Sequence, residues 1–573
     1  MQPVREKRWN IASADECRVK QLAADSSLHP LLCTLLLARG IDTAGAATRF
    51  LSSSLAEIHD PFLLKDMDVA VERVMRALLA GEKICIYGDY DVDGVTSVAS
   101  LVGFLTALGA DCFYYIPHRM EEGYGLHEAG IAEAAAKGAS VIITADCGIT
   151  SLAEADFCSS LGVDLIITDH HTPLSHVPAA CAVINPLRTD CPFPFKSLAG
   201  VGVVFNLLLA IRKRLRDDGY FVSRAEPNLR EYLDLVALGT VADIVPLVDE
   251  NRIFVFHGLR QLSGSSRVGV SALKAVAGVA GPVDCGAVGF RLAPRINAAG
   301  RLDDASLGVE LLLTEDTKRA AEVSAELNAS NEDRQQLEKS ILDDVLQRVA
   351  TDHALRGRKS IVLASESWHS GVIGIVASRI VDLYHRPTIL IALQEGTGKG
   401  SGRSIPGFHL HDALHACSDK LLRFGGHKYA AGLSIDEEIL SDFADSFDLV
   451  AAGLLSAEDL LPELRIDAEL LPEQVSLETA ELLSSLEPFG MGNPRPVFVM
   501  RAVKLIQWTL LKERHLKVRF LAAGFSFEAI GFDMANRVPE QDTLDVAFSL
   551  DINNWKGRQT VRLRLKDIKP SNA

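Results

Sequence analysis

The sequence predicts an α/β protein of several domains. It would combine a doubly wound, mostly parallel sheet, a long connecting helix, a second α/β region and a small C-terminal β-barrel. Three observations predict this. Short apolar runs alternate with helix-like stretches across residues 76–305, the pattern of β-α-β units that build a parallel sheet. Leu337, Ile341, Val345 and Val349, with Leu342 and Leu346, form an apolar stripe at helical spacing in a charge-dense segment. After residue 461, short strands of alternating polarity follow one another, as in an OB-fold barrel.

Residues 1–75 read as a helical lead-in with an apolar helix-like stretch at 31–39. Strands are expected at 84–87, 112–116, 140–144, 163–168 and 181–184, with helices between them such as 95–108 and 128–137. The segment Cys191-Pro192-Phe193-Pro194 punctuates the pattern, and a helix over 231–241 runs into Asp243. Residues 306–352 read as the connecting helix. The second α/β region, 353–460, has strands at 361–364 and 388–391 and glycine-rich segments at 398–404 and 424–427. The barrel, 461–573, has strands at 516–520, 547–550 and 560–565.

Composition bounds the function. The 573 residues suffice for several cores, and 48% hydrophobic with 23% charged content is that of an ordinary globular protein. No apolar run reaches the roughly 18 residues of a membrane helix, and the start lacks the apolar stretch of a secretory signal. The ten cysteines form no Cys-x-x-Cys pair, which favours a reduced, cytoplasmic protein. The net charge of −17 argues against nucleic acid, but the segment from Arg495 onward carries 14 Lys and Arg against 8 Asp and Glu. A basic module on an acidic body can hold a polyanion.

Three acidic clusters end three of the expected strands. Asp89, Asp91 and Asp93 follow the first, Asp146 the third, and Asp169-His170-His171 the fourth. In a parallel sheet these strand ends face one crevice. Five carboxylates and two imidazoles gathered there repel one another unless cations sit among them. Carboxylate oxygens suit Mg²⁺ or Mn²⁺, and imidazole shifts the preference toward Mn²⁺. Two such ions can stabilise both the attacking and the leaving oxygen of a phosphoryl displacement. Asp146, alone on its strand end, is the candidate bridge. His170 is a candidate ligand with Asp169 orienting it, and His171 would face substrate to stabilise a phosphate oxygen or protonate the leaving group. A single Asp after a strand more often caps a helix, and Asp243 alone reads either way. Three such features on one sheet favour metal.

The segments GDYDVDG (88–94), ADCGIT (145–150), TDHH (168–171) and GTVADIVPL (239–247), in this order, resemble the successive motifs of the DHH phosphoesterase superfamily. With PRINAAGRLDDA (294–305), WHSGVIGIVASRI (368–380), SGRS (401–404) and FGGHKYAAG (424–432), nearly the whole chain is similar to the superfamily's bacterial single-strand-specific DNA exonucleases. The resemblance implies a DHH domain, a long helix, a DHH-associated domain and an OB-fold. It implies hydrolysis of single-stranded DNA from the 5′ end to 5′-mononucleotides with two Mn²⁺ or Mg²⁺ ions. It implies Asp89, Asp91, Asp93, Asp146, His170 and Asp243 as ligands, with Asp89 either a ligand or a partner to one. His127 stands where the family pattern has Asn.

Arg119, Arg295, Asn297, Arg301 and Arg403, from family-like segments, are candidate substrate-binding residues, and guanidinium forks grip phosphate oxygens at two points. Ser401, Gly402 and Gly426 suit a backbone-amide phosphate cradle, Ser404 and Gly425 beside them are further substrate-binding candidates, and His427 suits a terminal phosphate or a nucleotide edge. Lys512, Arg514, Lys517 and Arg519 form a candidate basic stripe on the barrel for single-stranded DNA. A cleft among the domains would exclude duplex by width. The resemblance implies contacts with single-strand-binding protein and a repair helicase, and the chain needs no second copy. The alternatives are a nanoRNase or cyclic-dinucleotide phosphodiesterase, and a non-catalytic DNA-binding scaffold. The added N-terminal region and barrel weigh against the first, and the complete acidic and His-His set against the second.

Overall fold

The computed structural model describes residues 6–118, 122–123, 125–302, 304–555 and 558–571. It divides into two units. One holds residues 45–332 and 486–495, the other 1–44, 333–485 and 496–573.

The first unit is built on five parallel strands: β1 (Lys83–Gly88), β2 (Cys112–Tyr115), β3 (Ala139–Ala145), β4 (Asp164–Thr168) and β5 (Ala182–Ile184). Their order is β2-β1-β3-β4-β5. The chain therefore steps to opposite sides of β1, and the crevice of a doubly wound sheet opens between the C-terminal ends of β1 and β3. Those two ends carry Asp89 and Asp146. The strands are apolar on both faces because helices cover both, so no alternation marks them.

Helix α1 (Val92–Ala107) follows β1 and is buried on nearly every side. It packs beneath α2 (Gly200–Asp217) and α3 (Leu233–Ala242). Glycines permit the closeness. A Cβ on Gly239 of α3 would stand 2.3 Å from Thr96 Oγ1 and 2.8 Å from an Asp93 carboxylate oxygen. Helix α4 (Ala293–Leu302) closes over the turn after β1, where a Cβ on Gly300 would meet the Tyr90 carbonyl at 2.5 Å.

The connecting helix is α5 (Thr317–Thr351), preceded by a separate helix at Ser306–Leu313. Ile341, Val345 and Val349 are buried as the stripe predicts, but Leu337 is exposed. The buried face continues through Arg334 and Glu338, whose ion pair, joined by Arg379 from a facing helix, replaces the apolar side chain expected there.

The other unit holds a mixed sheet and a barrel. Strands β6 (Ile361–Ser365), β7 (Thr388–Gln394), β8 (Thr397–Arg403), β9 (Arg423–Gly426) and β10 (Ala430–Asp436) lie in the order β9-β10-β8-β7-β6. Helix α6 (Ile373–Tyr384) packs on β7 and β8. The barrel strands are β11 (Phe498–Leu511), β12 (His515–Ala522), β13 (Phe525–Gly531), β14 (Thr543–Trp555) and β15 (Arg558–Pro570). They close through β11–β14 pairing, with β13 and β15 parallel. The lead-in expected to be helical opens instead with a strand, Arg8–Ile11, paired in parallel with Glu463–Ile466. Helices Glu16–Ser26 and Pro30–Leu37 lie in this unit, whereas Met67–Ala80 lies in the first one.

Candidate two-metal active site

Asp91 is the N-cap of α1, and its Oδ1 accepts from Asp93 N at 2.8 Å and Gly94 N at 3.0 Å. Capping and metal binding are compatible, since the carboxylate also stands in a group with Asp89 and Asp146 whose ligand atoms lie within 4.8 Å of one another. Gly94 is required by contact: a Cβ there would meet the Asp89 carbonyl at 2.5 Å. Asp93, in the first turn of the helix, points to the start of α2. Its carboxylate accepts from Gly200 N at 2.6 Å and Val201 N at 2.9 Å.

Asp146 takes a left-handed backbone, φ 66°, which turns its side chain back over the sheet end. Its N–H donates to Thr168 O at 3.0 Å. The Thr168 hydroxyl donates to Thr144 O at 2.6 Å, stitching the two strand ends together. Asp146 Oδ1 lies 3.2 Å from His170 Nε2 and 3.9 Å from His171 Nδ1. A Cβ at Gly200 would stand 2.4 Å from that oxygen, so only glycine fits.

His170 Nε2 also lies 3.5 Å from Asp243 Oδ2 and 4.0 Å from Asp93 Oδ2. Asp243 sits at the C-cap of α3, and with Asp93 and His170 forms a second group within 4.8 Å. Asp146, His170 and His171 form a third. Asp146 thus reaches both the Asp89–Asp91 side and the His170 side.

The electrostatics follow from crowding. Burial and the Asp91 charge push Asp93 up to about 7, against the pull of the Val201 and Gly200 N–H groups. Burial, with the charges of Asp93 and Asp91, pushes Asp243 up to about 9. Asp146 is raised by burial and by the four other aspartates. Burial and the charge on His171 push His170 down to about 4, leaving a neutral imidazole fit for a metal.

Asp169 plays a different part from the one expected. It does not hold the His170 ring; its Oδ1 accepts from His171 Nδ1 at 2.7 Å and from the His170 and His171 backbone N–H groups, and Oδ2 accepts from Ile149 N at 2.9 Å. His170 is held instead by a hydrogen bond to the Leu198 backbone. Burial works to raise Asp169, but its bonds to His171 outweigh this and hold it below the ordinary carboxylate range. Burial likewise opposes charge on His171, yet Asp169, Asp243 and Asp91 lift it to about 9. These carboxylates favour the protonated form of His171, whose ring is partly exposed.

The expected phosphate groups divide. In the other unit, Arg403 donates to Ser401 Oγ at 3.1 Å and Gly402 O at 2.7 Å. Both side chains lie against the first turn of α6, where a Cβ on Gly374 would meet Ser401 Oγ at 2.8 Å and Arg403 Nη2 at 3.1 Å. A helix start beside a guanidinium favours an anion. The expected amide cradle at Ser401 and Gly402 is not there, because β8 is an interior strand bound by ladders on both sides. Gly402 is small because Leu410 and Ile389 pack on it. The Ser404 hydroxyl donates to Phe408 O at 2.9 Å. Gly425 and Gly426 lie on edge strand β9, and Gly426, φ 138°, opens the turn that exposes His427.

Arg295 and Asn297 are both engaged within the protein. Arg295 binds Asn328 Oδ1 at 2.9 Å and helix carbonyls of Arg291 and Val276. Asn297 Oδ1 accepts from Val92 N at 3.1 Å, fixing the turn that carries Asp91 and Asp93. Arg301 lies on α4, and Arg119 lies outside the described residues. The barrel stripe is largely neutralised. Arg514 pairs with Asp533, Lys517 with Glu528 at 2.8 Å and Arg519 with Glu528 at 3.7 Å, leaving Lys512 at a left-handed turn.

The family model described as DHH family, N-terminal domain, matches residues 83–240; those of the DHHA1 domain and the RecJ OB domain match 357–453 and 466–567. The single-stranded-DNA-specific exonuclease RecJ of Dickeya dadantii (strain 3937) is 42% identical over 561 residues, spanning 95% of this chain and 96% of its own. The chain belongs to the RecJ family. A crystal structure of RecJ in complex with Mn²⁺ from Thermus thermophilus matches with a TM-score of 0.84 at 33% identity, covering 99% of this chain and 80% of that one. The Mg²⁺ complex from the same organism matches at 0.79 and 32% identity, covering 99% and 79%.

The residues fit divalent ions of this kind. His170 Nε2 and Asp243 Oδ2 are buried, and neither has a hydrogen bond among the described residues. Buried polar atoms are otherwise bonded. An oxygen-rich set with imidazole suits Mn²⁺ and accepts Mg²⁺. Sequence reasoning missed Asn185, Gly200 and Gly239. Asn185 follows β5 directly, is fully buried and donates to the His171 carbonyl at 2.9 Å. A polar residue closing the apolar run Val183-Ile184 was the available signal. The two glycines sit inside helices, where only their neighbours explain them.

Proposed function

We propose that this chain is a metal-dependent exonuclease that degrades single-stranded DNA from its 5′ end and releases 5′-mononucleotides. The observation that carries the reading is the position of Asp146, shared between an Asp89–Asp91 group and a His170 group. Its relatives are named single-stranded-DNA-specific exonucleases, and two of their structures hold Mn²⁺ or Mg²⁺. Asp89, Asp91 and Asp146 would hold one ion, and Asp93, Asp146, His170 and Asp243 the other. When bound, the two ions supply an activated water and neutralise charge on the phosphate.

This chain's residues do the rest. Gly200 and Val201 N–H groups fix Asp93, and Asn297 fixes the turn carrying Asp91. Asp169 keeps His171 protonated and turned by its Nδ1–H, so that the opposite nitrogen faces the phosphate. The water oxygen bonds to phosphorus, the P–O3′ bond breaks, and His171 stabilises or protonates the departing 3′-oxygen. Ser401, Arg403, His427 and Arg301 would bind phosphates of the strand. Association with single-strand-binding protein and a repair helicase, a cytoplasmic location and a monomeric state complete the proposal. Among the described residues, no helix is long and apolar enough to cross a membrane.

The test compares turnover on single-stranded DNA, matched duplex and short RNA with Mn²⁺. The proposal expects single-stranded DNA to be degraded fastest. A preference for short RNA would move the assignment to an oligoribonuclease, and equal rates on duplex would remove the strand specificity.

A further inference from the structure

Asp243 is followed by an unusual residue. Ile244 is β-branched, adopts φ 62° and is 71% exposed. Left-handed backbone is unfavourable for such a side chain, and this one gains little burial in return. Strain of this kind persists only where the surroundings over-determine it. The surroundings here are a short segment far away in sequence. Residues 486–495 belong to the catalytic unit although the chain on both sides of them belongs to the other.

That segment grips the stretch of chain after Ile244. Leu247 N–H donates to Met491 O at 2.7 Å. A Cβ on Gly490 would meet Leu247 Cδ1 at 2.6 Å, and one on Gly492 would meet Pro246 Cβ at 3.0 Å, so the two backbones lie against each other. Two buried side chains hold the segment's shape. Asn493 Nδ2 donates to Leu486 O at 2.7 Å and Pro488 O at 2.9 Å. The Arg252 guanidinium, from the helix that follows the gripped loop, donates to Leu486 O at 2.9 Å and Glu487 O at 2.8 Å. Asn251 beside it donates to Pro246 O at 3.0 Å. The loop is thus fixed from both sides, three residues beyond Asp243.

We infer that the 486–495 clasp, organised by Arg252 and Asn493, holds Ile244 in its left-handed conformation and thereby aims the Asp243 carboxylate at His170. Arg252 and Asn493 are positioning residues that act on metal binding through Asp243. The inference rests on the reading of Asp243 as a metal ligand. Without the clasp, Ile244 relaxes to an ordinary conformation and the Asp243 side chain swings out of its group with Asp93 and His170.

The experiment measures Mn²⁺ binding to the full chain by electron paramagnetic resonance titration, with thermal unfolding alongside. Asn493→Ala is expected to weaken the second of two ions about tenfold, within the range for partners that orient metal ligands. Asp243→Ala should weaken the same ion at least as much. Ile244→Gly alone should leave affinity within about twofold, because glycine adopts φ 62° without strain. In the Asn493→Ala background, Ile244→Gly should restore most of the lost affinity, since the competent conformation is then populated unaided. A merely structural role of Asn493 predicts no such rescue. If Asn493→Ala destabilises the fold, Gly492→Ala provides the same comparison through the contact itself. Normal Mn²⁺ binding in both clasp variants, with weakened binding in Asp243→Ala, would overturn the inference. Unchanged binding in Asp243→Ala would overturn the metal reading beneath it.

Discussion

Removing divalent cations should make the catalytic unit lose stability as the pH rises, and Mn²⁺ should abolish that dependence. Asp243 is lifted from 3.8 to about 9, and Asp146 is also raised well above that ordinary value. In the unfolded chain both ionise near pH 4. Between these limits the folded state binds protons that the unfolded state does not. The stability they contribute is therefore full at low pH and is lost as pH rises through the folded values. The Asp243 carboxylate held protonated gives a slope of at most about 1.4 kcal/mol per pH unit in a cluster that titrates as one system, and the raised Asp146 acts in the same direction. Bound cations keep the carboxylates ionised in the folded state and remove the slope. The assay is scanning calorimetry of chelated and Mn²⁺-saturated protein at about pH 6.5, 7.25 and 8.0, a window below the raised Asp243 value. It reads the difference in Tm, so that groups outside the site cancel. The Mn²⁺-dependent gain should grow with pH. A gain that is constant or shrinks across this range would refute the reasoning.

Other outcomes follow from single contacts. Asp169→Asn should cut kcat by about 10²–10⁴ while Mn²⁺ affinity changes less than about twofold, because Asp169 bonds the ring of His171 at 2.7 Å and only the backbone N–H of the ligand His170; equal loss of Mn²⁺ binding would refute this. Gly200→Ala should fold but lose Mn²⁺ affinity at least about tenfold, since its Cβ would lie 2.4 Å from Asp146 Oδ1. Isothermal titration would contradict this by showing normal binding. Lys517→Ala should change single-stranded DNA affinity by less than about twofold, because Lys517 already pairs with Glu528 at 2.8 Å. Glu528→Gln should tighten binding at low salt, and fluorescence anisotropy across a salt series distinguishes the two.

Much of this was legible in the residues because the physics was local. The strand ends at Asp89, Asp146 and Asp169 could be read from apolar runs stopped by Asp, and β1 to β4 begin or end within about two residues of the expected positions. What failed was non-local. Asp169 and His170 are neighbours in sequence, which suggested that one orients the other, yet the side-chain bond goes to His171. Gly402 lies in a glycine-rich stretch that reads as a phosphate cradle, but only the sheet order reveals an interior strand with its amides already bonded. The Arg334–Glu338–Arg379 group interrupts an apolar stripe because a partner from a distant helix compensates the charge. The barrel's basic residues looked unopposed until Asp533 and Glu528 were placed beside them.

Everything proposed here turns on Asp146 joining two metal groups in a 5′ exonuclease. The experiment incubates single-stranded DNA, labelled separately at each end, with Mn²⁺ and either the wild-type chain or Asp146→Ala. The wild type should release the 5′-labelled mononucleotide early, and the variant should release none while still binding DNA. Shortening from the 3′ end, or undiminished cleavage by Asp146→Ala, would show the assignment to be wrong.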